Sequence, residues 1–422
     1  MPLAPTPPRR ASRPIVALLL VAAAACRSAP VTAPVPLAPV GALTPAAPAT
    51  VGLDPALGRR LDSLATAAIA RRTAPGMAIA VARHGRLVHL DGYGRTDWSG
   101  AAAPVDSTTL YDVASLTKVV VTTTLAMMLE EQGRLHLDSA VAHYVPEFAA
   151  TDSAKARITV RMLLTHTGGL EAFAPLHQTA RGREQYLQQI AARPLKAAPG
   201  AQTVYSDWDM ILLQLVLERI TGQTLDVLAA ERIFHPLDMC DSQFRPDASL
   251  RPRIAATERD SVRGLIWGEV HDPNAWAMGG VAGHAGLFSS ARDLATFAQF
   301  LLNGGQYGGV RLLQPETIAR WTARQGRDAS RALGWDTPSA PSSAGRHFSM
   351  RSFGHTGFTG TSMWMDPERG LFVIILANRV NSEGLATTHV PLRRDVADAV
   401  QRAVLDAPLV VWERTPASPT PP

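Results

Sequence analysis

The sequence predicts an α/β chain of the α+β type, in which strands from the N- and C-terminal parts form one antiparallel sheet flanked by helices and the middle forms a mostly helical lobe. Three observations predict it: strand signals occur early and late, the stretch between them has helical periodicity, and no unit repeats along the 422 residues. Asp54 and Pro55 supply an N-cap and a first helical residue, and Leu57, Leu61, Leu64 and Ala68 share one face of a helix ending near Arg72. The apolar runs 77–82 and 87–90 are joined at His84-Gly85, a hairpin signal in which glycine takes a left-handed position. From Ser115 to about residue 300 the pattern is helical, with Leu125, Met128 and Leu129 in one helix and Ile211, Leu212, Val216 and Ile220 in another. Strand signals return at 362–365 and 371–376, around the turn Asp366-Pro367-Glu368-Arg369-Gly370. Val396, Val400 and Val404, spaced by four, mark a closing helix. Single cores stop growing at about 250–300 residues, so two lobes with a cleft between them are expected.

At 46% hydrophobic and 18% charged residues, the composition is that of a soluble globular protein and excludes a fibre or a membrane bundle. Arg9, Arg10 and Arg13 precede an apolar run over 15–25 that is too short for a permanent membrane span, so residues 1–25 read as a signal peptide and the protein is expected to be exported, to the periplasm or cell envelope. Cys26 follows Ala23-Ala24-Ala25 directly, which makes it a lipidation site that would anchor the chain to the membrane; a plain secretory signal cut nearby is the alternative. Lipidation of Cys26 would leave Cys240 without an intramolecular disulfide partner. Residues 26–52 are Ala- and Pro-rich and read as a tether, 53–408 as the folded domain, and 409–422 as a disordered tail. The formal charge of +5 falls to about +2 without the three arginines of the signal, too little to argue for nucleic-acid binding.

The chemistry starts at Ala114-Ser115-Leu116-Thr117-Lys118. Residues three apart on a helix share a face, so the Ser115 hydroxyl and the Lys118 amine can meet, and a buried lysine with a lowered pKa can remove the serine proton. Only Lys118, Lys155 and Lys196 are lysines among the 41 basic residues. With 23 serines in the chain, a chance Ser-x-x-Lys is expected about 0.16 times, and one occurs. An apolar helix over 119–129 follows, placing Ser115 at a helix terminus whose free N–H groups can receive a developing oxyanion. The structural alternative is an N-cap serine and a solvated lysine. Tyr205-Ser206-Asp207, some ninety residues on, offers a phenol that can share protons with serine and leaving group, although a loop tyrosine alone is usually packing. Gly354-His355-Thr356-Gly357-Phe358-Thr359-Gly360 opens the return strand with glycines that let a substrate approach, while His355, Thr356 and Gly357 border a polar binding edge.

Together these segments resemble the superfamily of class C β-lactamases, penicillin-binding proteins and related esterases, with its Ser-x-x-Lys, Tyr-x-Asn and Lys-Thr-Gly or His-x-Gly motifs. Residues 163–170, 233–237 and 279–287 extend the resemblance, which covers about 53–405. It implies a β-lactamase/transpeptidase-like fold and an acyl-enzyme on Ser115, with Lys118 as base, Tyr205 as proton relay and the N–H groups of Ser115 and Phe358 as oxyanion hole. It implies no metal and no organic cofactor, and as partner a small-molecule or peptide substrate: a β-lactam, a D-amino-acid peptide such as D-Ala-D-Ala, or an ester. Two positions depart from the motifs. His355 stands where a lysine binds substrate carboxylate, and histidine is largely neutral at pH 7. Asp207 stands where an asparagine donates to substrate, and a carboxylate only accepts; it can pair with Lys118 and raise its pKa. These departures keep open a small-ester carboxylesterase and an inactive, envelope-tethered binding protein. His166 reads as a structural hydrogen-bonder, and His271, Asp272 and His284 lack metal-motif spacing.

Overall fold

The computed structural model describes residues 1–2, 41–150, 152–326, 330–339, 342–381 and 389–411. The signal run, Cys26 and residues 412–422 of the expected tail lie outside the described residues. Helix α1 (Leu57–Ala70) buries Leu57, Leu61, Ala65 and Ala68, the three-to-four spacing of a one-sided helix. Asp54 Oδ1 accepts the Ala56 N–H at 2.8 Å ahead of it. Strands β1 (Gly76–Arg83) and β2 (Arg86–Gly94) form the expected hairpin. Both turn residues, His84 and Gly85, are left-handed with φ of 51° and 73°, the geometry whose twist suits a two-residue hairpin. The middle of the chain supplies α2 (Thr124–Glu131), α3 (Asp207–Thr221) and α4 (Ala291–Leu302). Strands β3 (Phe353–Thr356), β4 (Ser362–Asp366) and β5 (Leu371–Ala377) precede the closing helix α5 (His389–Arg402).

The two ends of the chain share one sheet in which five strands run in the order β2-β1-β5-β4-β3, each antiparallel to its neighbour, with Val373 of β5 opposite Val81 of β1. Alternate residues serve opposite faces. Met77, Ile79, Val81, Val373 and Ile375 join a core with α1 and α5, whereas Ala78, Ala80, Ala82, Phe372 and Ile374 join the core of the helical lobe. The alanines let α4 pack close on β1 and β5. Strand β3 is left as the edge strand.

Three details differ from the sequence expectation. Residues 41–52, read as part of the tether, carry regular structure: Thr44–Pro45 pairs in parallel with Arg86 and Leu87, and Pro48–Val51 forms a 3₁₀ turn that buries Val51. Proline is tolerated here because the exposed edge of β2 needs only part of its partner's backbone groups. At the other end, Val410 of the expected tail accepts a hydrogen bond from His347 through its carbonyl oxygen at 2.8 Å. The helical lobe also contains small strands, Tyr111–Asp112, Gln243–Phe244 and Leu287–Ser289 in one sheet and Glu258–Asp260 with Gly264–Ile266 in a hairpin. At two or three residues each they are too short for a periodic signal.

Candidate active site

The pairing of Tyr111–Asp112 with Leu287–Ser289 carries the chain toward Ser115. Val113 O accepts from Thr361 Oγ1 at 2.9 Å and Asp112 O from Thr359 Oγ1 at 2.7 Å, tying this segment to the loop that leaves β3. Gly357 permits this approach, since a Cβ there would lie 2.1 Å from Thr361 Oγ1 and 2.4 Å from Val113 O. Ala114 turns with φ 48°, which is uncommon for a residue with a side chain. Helical structure then runs over 116–131, with a π-helical stretch at Lys118–Thr123 inside it. Ser115 stands at the positive head of this helix.

Lys118 is fully buried. Its Nζ lies 3.0 Å from Ser115 Oγ, 2.8 Å from Asp207 Oδ1 and 3.1 Å from His284 O. An ammonium has three donors, and these three acceptors use them all. Burial draws the amine toward neutrality, but the Asp207 charge and the Tyr205 phenol outweigh it and hold Lys118 above the ordinary lysine pKa. The carboxylate beside the amine favours its charged form, and in that form Lys118 donates to the serine oxygen. That carboxylate stands at position 207, where the Ser206 hydroxyl caps α3 by accepting the Trp208 N–H at 3.2 Å.

Tyr205 lies in the same cluster. Lys118 Nζ is 4.9 Å and the Arg331 guanidinium 5.1 Å from its ring centre, and the rings of His166 and His355 are at 4.8 and 5.8 Å. Its hydroxyl is buried without a protein hydrogen bond among the described residues. His355 is also buried, and its Nδ1 lies 2.9 Å from Thr356 O. A carbonyl only accepts, so the proton is on Nδ1 and the Nε2 lone pair is unpartnered among the described residues. Burial, reinforced by the Arg331 and Lys118 charges, pushes the His355 pKa well below the usual imidazole value.

A cavity of about 900 Å³ brings the cluster together, and every residue expected at the site except buried Lys118 lines it. Phe358 is at the rim, 61% exposed and stacked on His271 at 5.7 Å. Among the described residues, the N–H groups of Ser115 and Phe358 donate to no backbone carbonyl, so both are available to a substrate oxygen. Asp207, Asp272 and His284 have ligand-type atoms within 4.8 Å of one another. They are already paired, Asp207 with the Lys118 ammonium and Asp272 Oδ1 with His284 Nε2 at 2.9 Å.

Sequence reasoning missed the arginines of the cavity, Arg331 and Arg393 among them. Arg393 on α5 is buried and donates to Gly357 O at 2.5 Å and Thr361 O at 2.8 Å. Its Nε has no partner among the described residues, and burial pulls its pKa down to about 9. The surplus of arginine over lysine was the one available signal, and it does not say which arginines converge.

Comparison with known proteins bears on this geometry. A family profile described as "Beta-lactamase" matches residues 61–398. A relative from Escherichia coli (strain K12), named "Putative D-alanyl-D-alanine carboxypeptidase", is 38% identical over 310 residues, which are 66% of this chain and 71% of the relative. Among solved structures, a hydrolase with promiscuous acyltransferase activity superposes with a TM-score of 0.67 at 24% identity, covering 82% of this chain and 98% of its own. A class C beta-lactamase superposes with a TM-score of 0.65 at 20% identity, covering 82% and 96%. At these identities the two structures establish the fold.

Proposed function

Because this chain belongs to the beta-lactamase family and is a serine hydrolase, we propose that it cleaves cell-wall-type D-amino-acid peptides, as a D-Ala-D-Ala carboxypeptidase or D-peptidase, through an acyl-enzyme on Ser115. The observation that carries the reading is the 3.0 Å contact between Ser115 Oγ and Lys118 Nζ at the wall of a cavity bordered by β3. Ser115 Oγ attacks the carbonyl carbon of the penultimate D-alanine. The resulting oxyanion is held by the N–H groups of Ser115 and Phe358. The serine proton passes to the Tyr205 oxygen as that phenol gives its own proton to the departing amine, and the C–N bond breaks. The Lys118 cation offsets negative charge developing on both oxygens. Water then hydrolyses the ester, with Tyr205 relaying a proton back to Ser115. The terminal carboxylate of such a peptide needs a positive partner, and the neutral His355 cannot supply it; Arg331 and buried Arg393 do.

The same reading takes the chain to be exported and held at the membrane through lipidated Cys26, on the strength of the signal-like residues 1–25. A second substrate class is favoured by one observation: His355, with its pKa pushed well below the usual imidazole value, supplies no charge where it stands beside Thr356, which suits small esters that lack a carboxylate.

Incubation of the protein with a D-Ala-D-Ala peptide is expected to release D-alanine, with intact mass showing an adduct on Ser115 and both signals absent in Ser115→Ala. Turnover of p-nitrophenyl acetate without D-alanine release would assign the ester reading, and turnover of nitrocefin alone a β-lactamase. A Ser115→Ala variant that still forms the adduct, or a wild type that labels with none of these, would overturn the hydrolytic role of Ser115.

A further inference from the structure

Behind Tyr205 lies a second pair of titratable side chains that the proposed chemistry does not use. His166 and Asp209 are each about 1% exposed, and His166 Nδ1 stands 2.8 Å from Asp209 Oδ2. His166 follows the short helix Val160–Leu164 and has φ 55°, a strained value for a residue with a β-carbon. That turn lets one residue hold the backbone on both sides of Tyr205. The His166 carbonyl accepts the Val204 N–H at 2.8 Å, and its Nδ1 accepts the Ser206 N–H at 3.3 Å. The imidazole also packs against the Tyr205 ring, 4.8 Å between centres.

One contact uses Nδ1 fully, and the 2.8 Å approach of Asp209 Oδ2 is the shorter of its two; the Ser206 N–H lies farther off at 3.3 Å, and Nε2 has no partner among the described residues. The charged groups around the pair act against its ionised forms: Arg331, Lys118 and the neighbouring His355 disfavour an imidazolium, and Asp207 disfavours a second carboxylate. Burial acts first and in the same direction on both, lowering the His166 pKa well below the usual value and raising that of Asp209 well above it.

We propose that His166, paired with Asp209, is a positioning residue that fixes the Tyr205 ring beside Lys118 by clamping the backbone at 204 and 206 and packing on the ring between them. The inference rests on the reading of Ser115 as nucleophile and Tyr205 as proton carrier. It explains why a histidine rather than a glycine or asparagine occupies a left-handed position: the ring supplies at once an acceptor, a packing surface and a partner for Asp209.

Its test uses p-nitrophenyl acetate with a Ser115 adduct in the wild type as control, so a wild type that forms none overturns the earlier reading and not this one. His166→Phe keeps a ring and loses the acceptor. It is expected to lower kcat about tenfold or more with KM within about twofold, and His166→Asn, which restores an acceptor and tolerates φ > 0, to recover much of that loss. In a Tyr205→Phe background the same His166→Phe change is expected to have almost no further effect on kcat. Equal losses with and without the Tyr205 hydroxyl, or no loss at all, would overturn the proposal. Independently of any variant, ¹⁵N spectra of the histidine rings in the wild type are expected to show an uncharged His166 ring at pH 7, and a charged ring there would overturn it equally.

Discussion

At the scale of single residues, the exchange of an amide for a carboxylate at position 207 reorganises the site. Asp207 favours the charged form of Lys118, whose three donors then all have acceptors. Removing that carboxylate removes the largest influence holding the lysine charged, and burial alone then draws its pKa down. With Lys118 acting as a cation, Asp207→Asn is expected to lower activity at high pH and to bring the alkaline fall of the pH–rate profile to lower pH. The check is kcat/KM measured from pH 6 to 10. A variant that gains activity near pH 8 would instead make the neutral amine the base. The identities at this site, serine, lysine, tyrosine and the glycine-rich strand, were legible in the sequence because each belongs to a local motif. The protonation state of Lys118 was not, because it depends on a carboxylate 89 residues away and on the depth of burial of both.

At the scale of elements, the site depends on the seam between the segment ahead of Ser115 and the loop beyond β3. Thr359 and Thr361 fasten that seam, and Gly357 permits it. Gly357→Ala would force a Cβ to within 2.4 Å of the Val113 carbonyl and part the two segments. It is expected to cost about 1–3 kcal/mol of stability, and to reduce kcat/KM by a larger factor than that loss of folded protein explains, because the Phe358 N–H moves away from Ser115. Urea unfolding together with kinetics on the folded fraction checks this; wild-type kinetics in the folded fraction would refute it. Helix α1, the β1–β2 hairpin, β4, β5 and α5 were legible as elements because each carries its own period or turn. The strands at Tyr111–Asp112 and Leu287–Ser289 were not, because two or three residues hold no period and pair only when distant chain is brought alongside.

At the scale of the whole molecule, burying a charged cluster between a sheet and a helical lobe links catalysis to acid stability. His166 and His355 are neutral when folded, with pKa values pushed well below the usual value by burial and by Arg331 and Lys118, whereas in the unfolded chain they titrate near about 6.5. The unfolded state therefore binds protons first: stability is full above about pH 6.5 and is lost as pH falls below it. Buried carboxyls held above their ordinary pKa, such as Asp293 at about 6, act in the opposite sense, destabilising the fold as pH rises from about 4 to 6. Thermal unfolding is expected to shift to lower temperature between pH 7.5 and 5, and His355→Gln to reduce that shift. An identical shift in wild type and variant would remove the histidine from the account.

The sequence alone determined the fold class, the pairing of early with late strands, and the side chains available for chemistry, since these follow from periodicity, turn residues and local spacing. Tertiary structure decided what those side chains do. It set the bias of Lys118 toward its charged form, the single proton position on His355, the gathering of Arg331 and Arg393 in one cavity, and the pairing of Thr44–Pro45 with the sheet. Each of these depends on distance and desolvation between residues far apart in the chain, and electrostatic energies vary steeply with both.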